Sequence, residues 1–320
     1  MWNDSAQEVP LRLDAKGQRS EPGRERVGMV AADRCAITFA DAGIAIPGAR
    51  AFRLAHPHIH VELTMLGSDA AMGALATAAT DIALIGREAT KPEVQAFEWI
   101  YRRRPTPLPV LRGSIATPGK LPAVAVLVHA SNPITSISLA QLAAVFDGQG
   151  RGISHWGELG VAGPLSRSPI NLYAPYMESG TGRFFRNVVL NDSNRIAWQR
   201  LHEFGNPENT DASEDLRSAQ HIERAIATDA AGLALGMATF TNPRVRVLGL
   251  QNDAHEAIMP SKSTIINGSY PLARTVFAYS AGQADSAGHP ETGLFLNFMR
   301  SSTAQGLIAP TDGYLALQDG

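Results

Sequence analysis

Glu178-Ser179-Gly180-Thr181-Gly182-Arg183-Phe184-Phe185 is a polar, glycine-broken turn that runs straight into an amphipathic segment. Phe184 and Val188, and likewise Phe185 and Val189, stand four residues apart and so share the buried stripe of a helix. The first turn of a helix leaves backbone N–H groups without intrahelical acceptors and carries a partial positive charge. Ser179 and Thr181 add two hydroxyl donors, and Gly180 lets a ligand come close to the backbone. Together these residues make a socket for a small oxyanion, held by neutral donors rather than by a cluster of cations. The same residues admit a plainer reading, in which Ser179 or Thr181 only caps the helix. The turn by itself does not separate the two, and the rest of the chain has to.

With 320 residues, the chain has room for about two compact lobes. Its 44% hydrophobic and 18% charged content reads as globular and soluble. The formal net charge of −2 offers no field for nucleic acid or an anionic membrane surface, so any bound anion must be won locally. The lone cysteine, Cys35, leaves no internal disulfide and no cysteine-based metal site. The run from Leu121 to Phe146 carries no Asp, Glu, Lys or Arg, but Ser131-Asn132-Pro133 splits it into a strand, a turn and a helix rather than a membrane span. Residues 1–34 are charged and polar, with Arg24, Glu25 and Arg26 together. They hold no apolar core of the kind a signal peptide needs and read as a disordered or non-native tail.

Short apolar runs alternate with amphipathic ones, the pattern of an α/β protein with a mainly parallel sheet. Strands are predicted over 36–39, 59–63, 82–85, 123–129, 170–173, 232–235, 245–250 and 275–279. A helix starts after Ser138, which pairs with Gln141 as a capping box, with Leu139, Leu142, Ala143 and Phe146 as its stripe. A second capping box, Ser302 with Gln305, opens a helix near the C-terminus, after one that carries Leu294, Phe295, Phe298 and Met299. Pro105, Pro107, Pro109, Pro118 and Pro122 punctuate a loop before the 123–129 strand, a place for the chain to cross between lobes.

Taken in order, these segments resemble the substrate-binding proteins of phosphate ABC importers, within the periplasmic binding fold. His56-Pro57-His58-Ile59 stands where that family has HPxV before its second strand. Gly67-Ser68, followed by Gly73 and Leu75, resembles its first serine-glycine loop. Asp81-Ile82-Ala83-Leu84-Ile85-Gly86-Arg87-Glu88 is similar to its "ADIA…SRE" segment. Asn132-Pro133, Leu139 to Leu142, Phe146 and Trp156-Gly157-Glu158-Leu159-Gly160 are similar to "NP…LTxxQLxxIF…WxxLG". Ser179-Gly180-Thr181 corresponds to the anion loop. Ala231 to Leu235 resembles "GxIGY", Tyr270-Pro271-Leu272-Ala273-Arg274 resembles "YPLxRP", and Phe295 to Gln305 resembles "FxxFxxSxxGQ". The resemblance spans roughly residues 35 to 318.

It implies a type II two-lobe fold with the ligand between the lobes at helix N-termini, in keeping with the general rule for open α/β sheets. The implied division is 35–124 plus 269–320 for one lobe and 125–268 for the other, after a 1–34 tail. The implied ligand residues are Ser68, Arg87, Ser179, Gly180 and Thr181. Also implied are a periplasmic or secreted location, a monomer, and ABC permease transmembrane subunits as partners, with no cofactor. Three positions depart from the pattern. Asp41-Ala42-Gly43-Ile44 replaces a hydroxyl-rich loop after the first strand, Pro175 stands where many members have an arginine, and Glu178 sets a carboxylate beside Ser179. Each removes a donor or adds repulsion, which predicts a weaker phosphate site or a different oxyanion.

Other constellations carry less. His58 and His60 would share a strand face, but with His56 they lack a defined metal-ligand spacing and read as a solvated strand entrance. No G-x-S-x-G elbow or GxxxxGK[ST] loop occurs. Arg102-Arg103-Arg104 reads as a solvated helix end, and Trp156 as a packing residue. Arg87 follows a predicted strand at the edge where such sheets bind ligands; its plainer reading is an ion pair with Glu88 or another residue of its lobe. The function expected is capture of a small oxyanion, phosphate first, for an ABC importer, without catalysis. The alternative is a sensor or adaptor with a degenerate pocket, whose ligand is a partner protein.

Overall fold

A computed structural model describes residues 34–39, 42–65, 68–117, 120–150, 152–205, 212–238, 242–251, 256–281 and 290–317. The chain first lays down β1 (Arg34–Phe39), α1 (Ala42–Ala55), β2 (His60–Met65), α2 (Ser68–Ala76), β3 (Ile82–Ile85), α3 (Lys91–Tyr101) and β4 (Leu108–Arg112). It then crosses over and builds β5 (Val124–His129), β6 (Ser136–Ser138), α4 (Leu139–Phe146), β7 (Asn171–Pro175), α5 (Gly180–Leu190), β8 (Leu201–Phe204), α6 (Ala212–Thr228) and β9 (Gly232–Met237). After β10 (Val245–Val247), β11 (Gly249–Gln251), β12 (Ala257–Ile258) and α7 (Lys262–Ile266) it returns as β13 (Thr275–Ser280), α8 (Pro290–Arg300) and α9 (Ser302–Asp312). The predicted tail lies outside the described residues, apart from Arg34. None of the described helices is long and apolar enough to cross a membrane.

Two 5-stranded sheets result, ordered β2-β1-β3-β13-β4 and β10-β5-β9-β7-β8, with a 3-stranded sheet β12-β11-β6 beside the second. In β3 the side chains alternate between two cores: Ile82 and Leu84 join Phe52, Phe295 and Tyr314, while Ala83 and Ile85 join Leu75, Phe97 and Tyr279. Both faces are covered, which is why the strand reads as an unbroken apolar run. In β5, Val124, Val126 and Val128 pack with Phe146, Trp156 and Phe185, and Ala125 and Leu127 pack under α6 with Ile222 and Ile226.

The sheets are mixed, not mainly parallel as the alternating pattern suggested. β2, β1 and β3 run parallel, as do β7 with β8 and β9, but β13 is antiparallel to both β3 and β4, and β5 to both β9 and β10. The reversed strands include those beside the crossings, where the chain enters a sheet without a helical crossover to turn it round. β4 was expected to be part of a loop because of its prolines. It is an edge strand, where Pro109 costs no interior ladder hydrogen bond. The single strand expected over 245–250 is two, because fully buried Leu248 lets the chain step from the second sheet to the third.

The two crossings lie side by side. Gly113 N–H donates to the Arg274 carbonyl at 2.8 Å and Val124 N–H to the Leu272 carbonyl at 3.1 Å. Tyr270 Oη donates to the Val124 carbonyl at 2.8 Å, and Tyr270 and Leu272 sit in the second sheet's core.

Candidate functional site

Ser179 caps α5: its Oγ accepts from Gly182 N–H at 3.2 Å, and its carbonyl accepts from Arg183 N–H at 2.8 Å. The capping reading of Ser179 is therefore correct, yet it uses only a lone pair, so the hydroxyl hydrogen stays available to donate. Gly180 and Thr181 contribute the next N–H groups, which helix geometry leaves without intrahelical acceptors. Glycine is needed at 182, where a Cβ would stand 2.5 Å from the Met177 Cα. Phe185 and Val189 anchor the helix in the core as expected; Phe184 is also buried, but Val188 points outward. Ser179, Gly180 and Thr181 are half-buried.

Glu178 does not confront this turn as a bare carboxylate. Arg183 Nε lies 3.3 Å from its Oε2, and Arg186 Nη1 bonds its Oε1. Two arginines from the same helix thus offset the repulsion expected from its position. Pro175, in the place of the family arginine, closes β7 opposite Phe204.

A cation does reach the turn, from an unexpected place. Arg274, 3% exposed, precedes β13 in the returning crossing. Its Nη1 donates to Thr181 Oγ1 at 3.0 Å, while Nε and Nη2 donate to the Gly86 carbonyl at 3.2 and 3.0 Å. Its guanidinium carbon lies 5.4 Å from the Phe184 ring centroid, a cation–π contact. One side chain thereby ties the end of β3 in the first sheet to the start of α5 on the second. Leu121 secures Gly86, whose own Cβ would lie 2.3 Å from the Leu121 side chain. Sequence reading gave Arg274 no role. Because β13 runs antiparallel to β3, with Phe277 opposite Ile85, its N-terminal end lies beside the C-terminal end of β3. A parallel strand would have carried Arg274 to the far edge.

Arg87, 2% exposed, is held differently. Its Nη1 and Nη2 donate to the two Glu93 carboxylate oxygens at 2.7 and 2.8 Å, a two-point ion pair, and Nη1 also meets the Glu88 carbonyl at 3.0 Å. Glu93 further accepts from Thr90 N–H at 2.7 Å and Thr90 Oγ1 at 2.9 Å. Burial alone would push the Glu93 carboxyl up; the Arg87 bonds and charge, with the Thr90 donors, outweigh it and hold it below its usual range. Thr90 and Glu93 form the capping box at the start of α3, the local pattern by which Glu93 turns back on its own helix start. Tyr279 braces the same loop, accepting from Ala89 N–H at 2.9 Å, and burial pushes its phenol up to about 12.

Ser68 opens α2, but its side chain lies outside the described residues, as do Asp41 and the side chains of Ala42 and Ile44. His58 and His60 are exposed and His56 packs against Phe52, with ring centroids 4.6 Å apart. No group of three metal-ligating side chains occurs among the described residues. Trp156 is a packing residue, fully buried, with Nε1 donating to the Ala231 carbonyl at 2.9 Å. Arg102 ends α3 in the left-handed conformation, and Arg103 folds back over Phe97. An open cavity of about 650 Å³ between α1 and the start of β2, lined in part by Arg50, Arg53, His58 and His60, lies on the edge strand of the first sheet.

A family model described as a PBP superfamily domain matches residues 34–303. The chain belongs to the PBP superfamily. It is 24% identical over 275 residues to the phosphate-binding protein PstS of Pseudomonas aeruginosa, covering 84% of this chain and 78% of that protein. PstS from Borrelia burgdorferi matches with a TM-score of 0.62 at 15% identity, over 90% of this chain and 100% of that one. An ABC-type phosphate transport receptor from Vibrio cholerae matches with a TM-score of 0.61 at 17% identity, over 88% and 99% of the two chains. The two-lobe α/β architecture expected from the sequence is thus the fold of this superfamily member.

Proposed function

We propose that this protein is a non-enzymatic solute-binding protein that takes up a small oxyanion, phosphate first, between its lobes and delivers it to an ABC permease. The observation that carries the reading is the first turn of α5 meeting the end of β3 across the crossing, with Arg274 bonded to both Thr181 and Gly86. Donors from one lobe there face a strand end of the other, where open α/β sheets bind ligands. The N–H groups of Gly180 and Thr181 and the hydroxyls of Ser179 and Thr181 supply neutral donors; Ser68 completes the set from the first lobe, with Arg87 holding the facing loop through its two-point pair with Glu93. The phosphate-binding relatives support this choice of anion. The lobes are residues 35–124 plus 269–320 and residues 125–268, closing about the paired crossings, and the protein acts as a monomer outside the cytoplasm, periplasmic or secreted.

A second reading, a sensor or adaptor with a degenerate pocket, is favoured by one observation: Glu93 already takes both terminal nitrogens of Arg87. Calorimetry with phosphate, sulfate and molybdate separates the two. The transport reading expects phosphate binding in the micromolar range or tighter, roughly −8 kcal/mol or better. Absence of binding by all three oxyanions at millimolar concentration contradicts it and leaves the adaptor.

A further inference from the structure

We infer that Arg274 is the positioning residue of the oxyanion site: it turns the Thr181 hydroxyl into a charge-assisted donor and so supplies, from the returning crossing, the positive charge that Pro175 lacks. The inference rests on the oxyanion reading of this site.

The chemistry follows from one hydroxyl group. Thr181 Oγ1 has a single hydrogen to donate and two lone pairs to receive with. Arg274 Nη1, at 3.0 Å, occupies a lone pair, so the Thr181 hydrogen has to point elsewhere. Its neighbours on that turn are the N–H groups of Gly180 and Thr181, themselves donors that converge on a helix N-terminus. A hydroxyl that accepts from a guanidinium is polarised, and the bond it donates onward is strengthened by that charge. The guanidinium cannot lose its proton, and its position is over-determined: two bonds to the Gly86 carbonyl, the Phe184 ring on α5, and a backbone carbonyl tied to Gly113. Arg274 therefore acts through Thr181 and through the distance between the lobes, and its role depends on both.

The experiment is a double-mutant cycle on the full chain, with inorganic phosphate as the probe, read by calorimetry and by the thermal midpoint of the ligand-free protein. Arg274→Gln is expected to weaken phosphate binding roughly ten- to a hundredfold, the range of a lost charge-assisted bond. Thr181→Val is expected to weaken it roughly tenfold or more, beyond the loss from a neutral hydroxyl. In the Thr181→Val background, Arg274→Gln should cost less than about threefold further, because the relay is already broken. Arg274→Lys, which restores the charge but not the fork, should recover part of the affinity. A purely structural Arg274 would lower the thermal midpoint but give effects that multiply independently of Thr181 and no recovery with lysine; that result overturns the inference. Should Arg274→Gln fail to fold, Thr181→Val and Arg274→Lys carry the test, and a Thr181→Val affinity within about threefold of the parent overturns it. Parent protein that binds no oxyanion overturns the transport reading and this inference together. Parent that binds phosphate, with Arg274→Gln binding equally well, overturns this inference alone.

Discussion

Arg87 and Arg274 are both almost wholly buried, and both converge on the C-terminal end of β3. Arg87 spends two nitrogens on one carboxylate, Glu93, that bends back from the start of α3. Arg274 donates to the Gly86 carbonyl at the end of β3 in the first sheet and to the Thr181 hydroxyl on α5 of the second. Burial alone does not assign a guanidinium its work; its partners do. A charge matched at once by a carboxylate holds a loop in shape. A charge passed through a hydroxyl at a helix N-terminus prepares that hydroxyl for an anion.

The largest effect that sharpens this contrast is on stability. Glu93→Ala leaves Arg87 buried without its carboxylate and should cost about 3–5 kcal/mol in urea denaturation, as for a broken buried pair. A loss near zero would mean that Arg87 does not depend on Glu93 and would erase the distinction. The same pair sets a pH dependence. The Glu93 carboxyl titrates below its ordinary 4.5 in the folded protein, so the pair's contribution is complete above that value and disappears as pH falls through the lower, folded value. Thermal midpoints measured down through the acid range should therefore fall more steeply for the parent than for Glu93→Gln. Parallel curves would contradict the assignment.

A smaller effect compares two serine caps. Ser138 caps α4, and Gln141 returns to its N–H, closing both donors. Ser179 caps α5, but glycine at 182 has no side chain to return, and the Ser179 N–H donates instead to the Tyr176 carbonyl at 2.9 Å. Ser138→Ala and Ser179→Ala should each cost about 1 kcal/mol of stability. Only Ser179→Ala should also weaken phosphate binding, by about 1 kcal/mol for one neutral hydrogen bond. Equal binding by both variants would place the anion away from α5.

Much of this architecture was legible in the sequence, because apolar runs covered on both faces and capping boxes are local signals. β3 lies where the run Ile82-Ala83-Leu84-Ile85 put it, and the Ser138 box is as read. The C-terminal box was displaced by one residue. Ser301 caps α9, and Gln305 turns inward to donate to the Val110 and Met299 carbonyls and accept from Leu317 N–H. Adjacent serines fit the pattern equally well, and only packing chooses between them. In α8, similarly, Phe295 and Met299 are buried while Leu294 faces outward. The turn at Ser179 was legible for the same local reason. Arg274 was not, because its place depends on β13 running antiparallel to β3, a non-local fact that alternating strands and helices do not encode.

The most direct test of an oxyanion site at the α5 N-terminus is amide chemical-shift mapping during a phosphate titration of the ¹⁵N-labelled protein. Donation of backbone N–H groups to an anion shifts those amides first. The account predicts the largest shifts at Gly180 and Thr181, saturating together with a response at Gly86 and Arg87 on the other lobe. Shifts that leave Gly180 and Thr181 unmoved and gather instead around Arg50, Arg53 and His58 would contradict it.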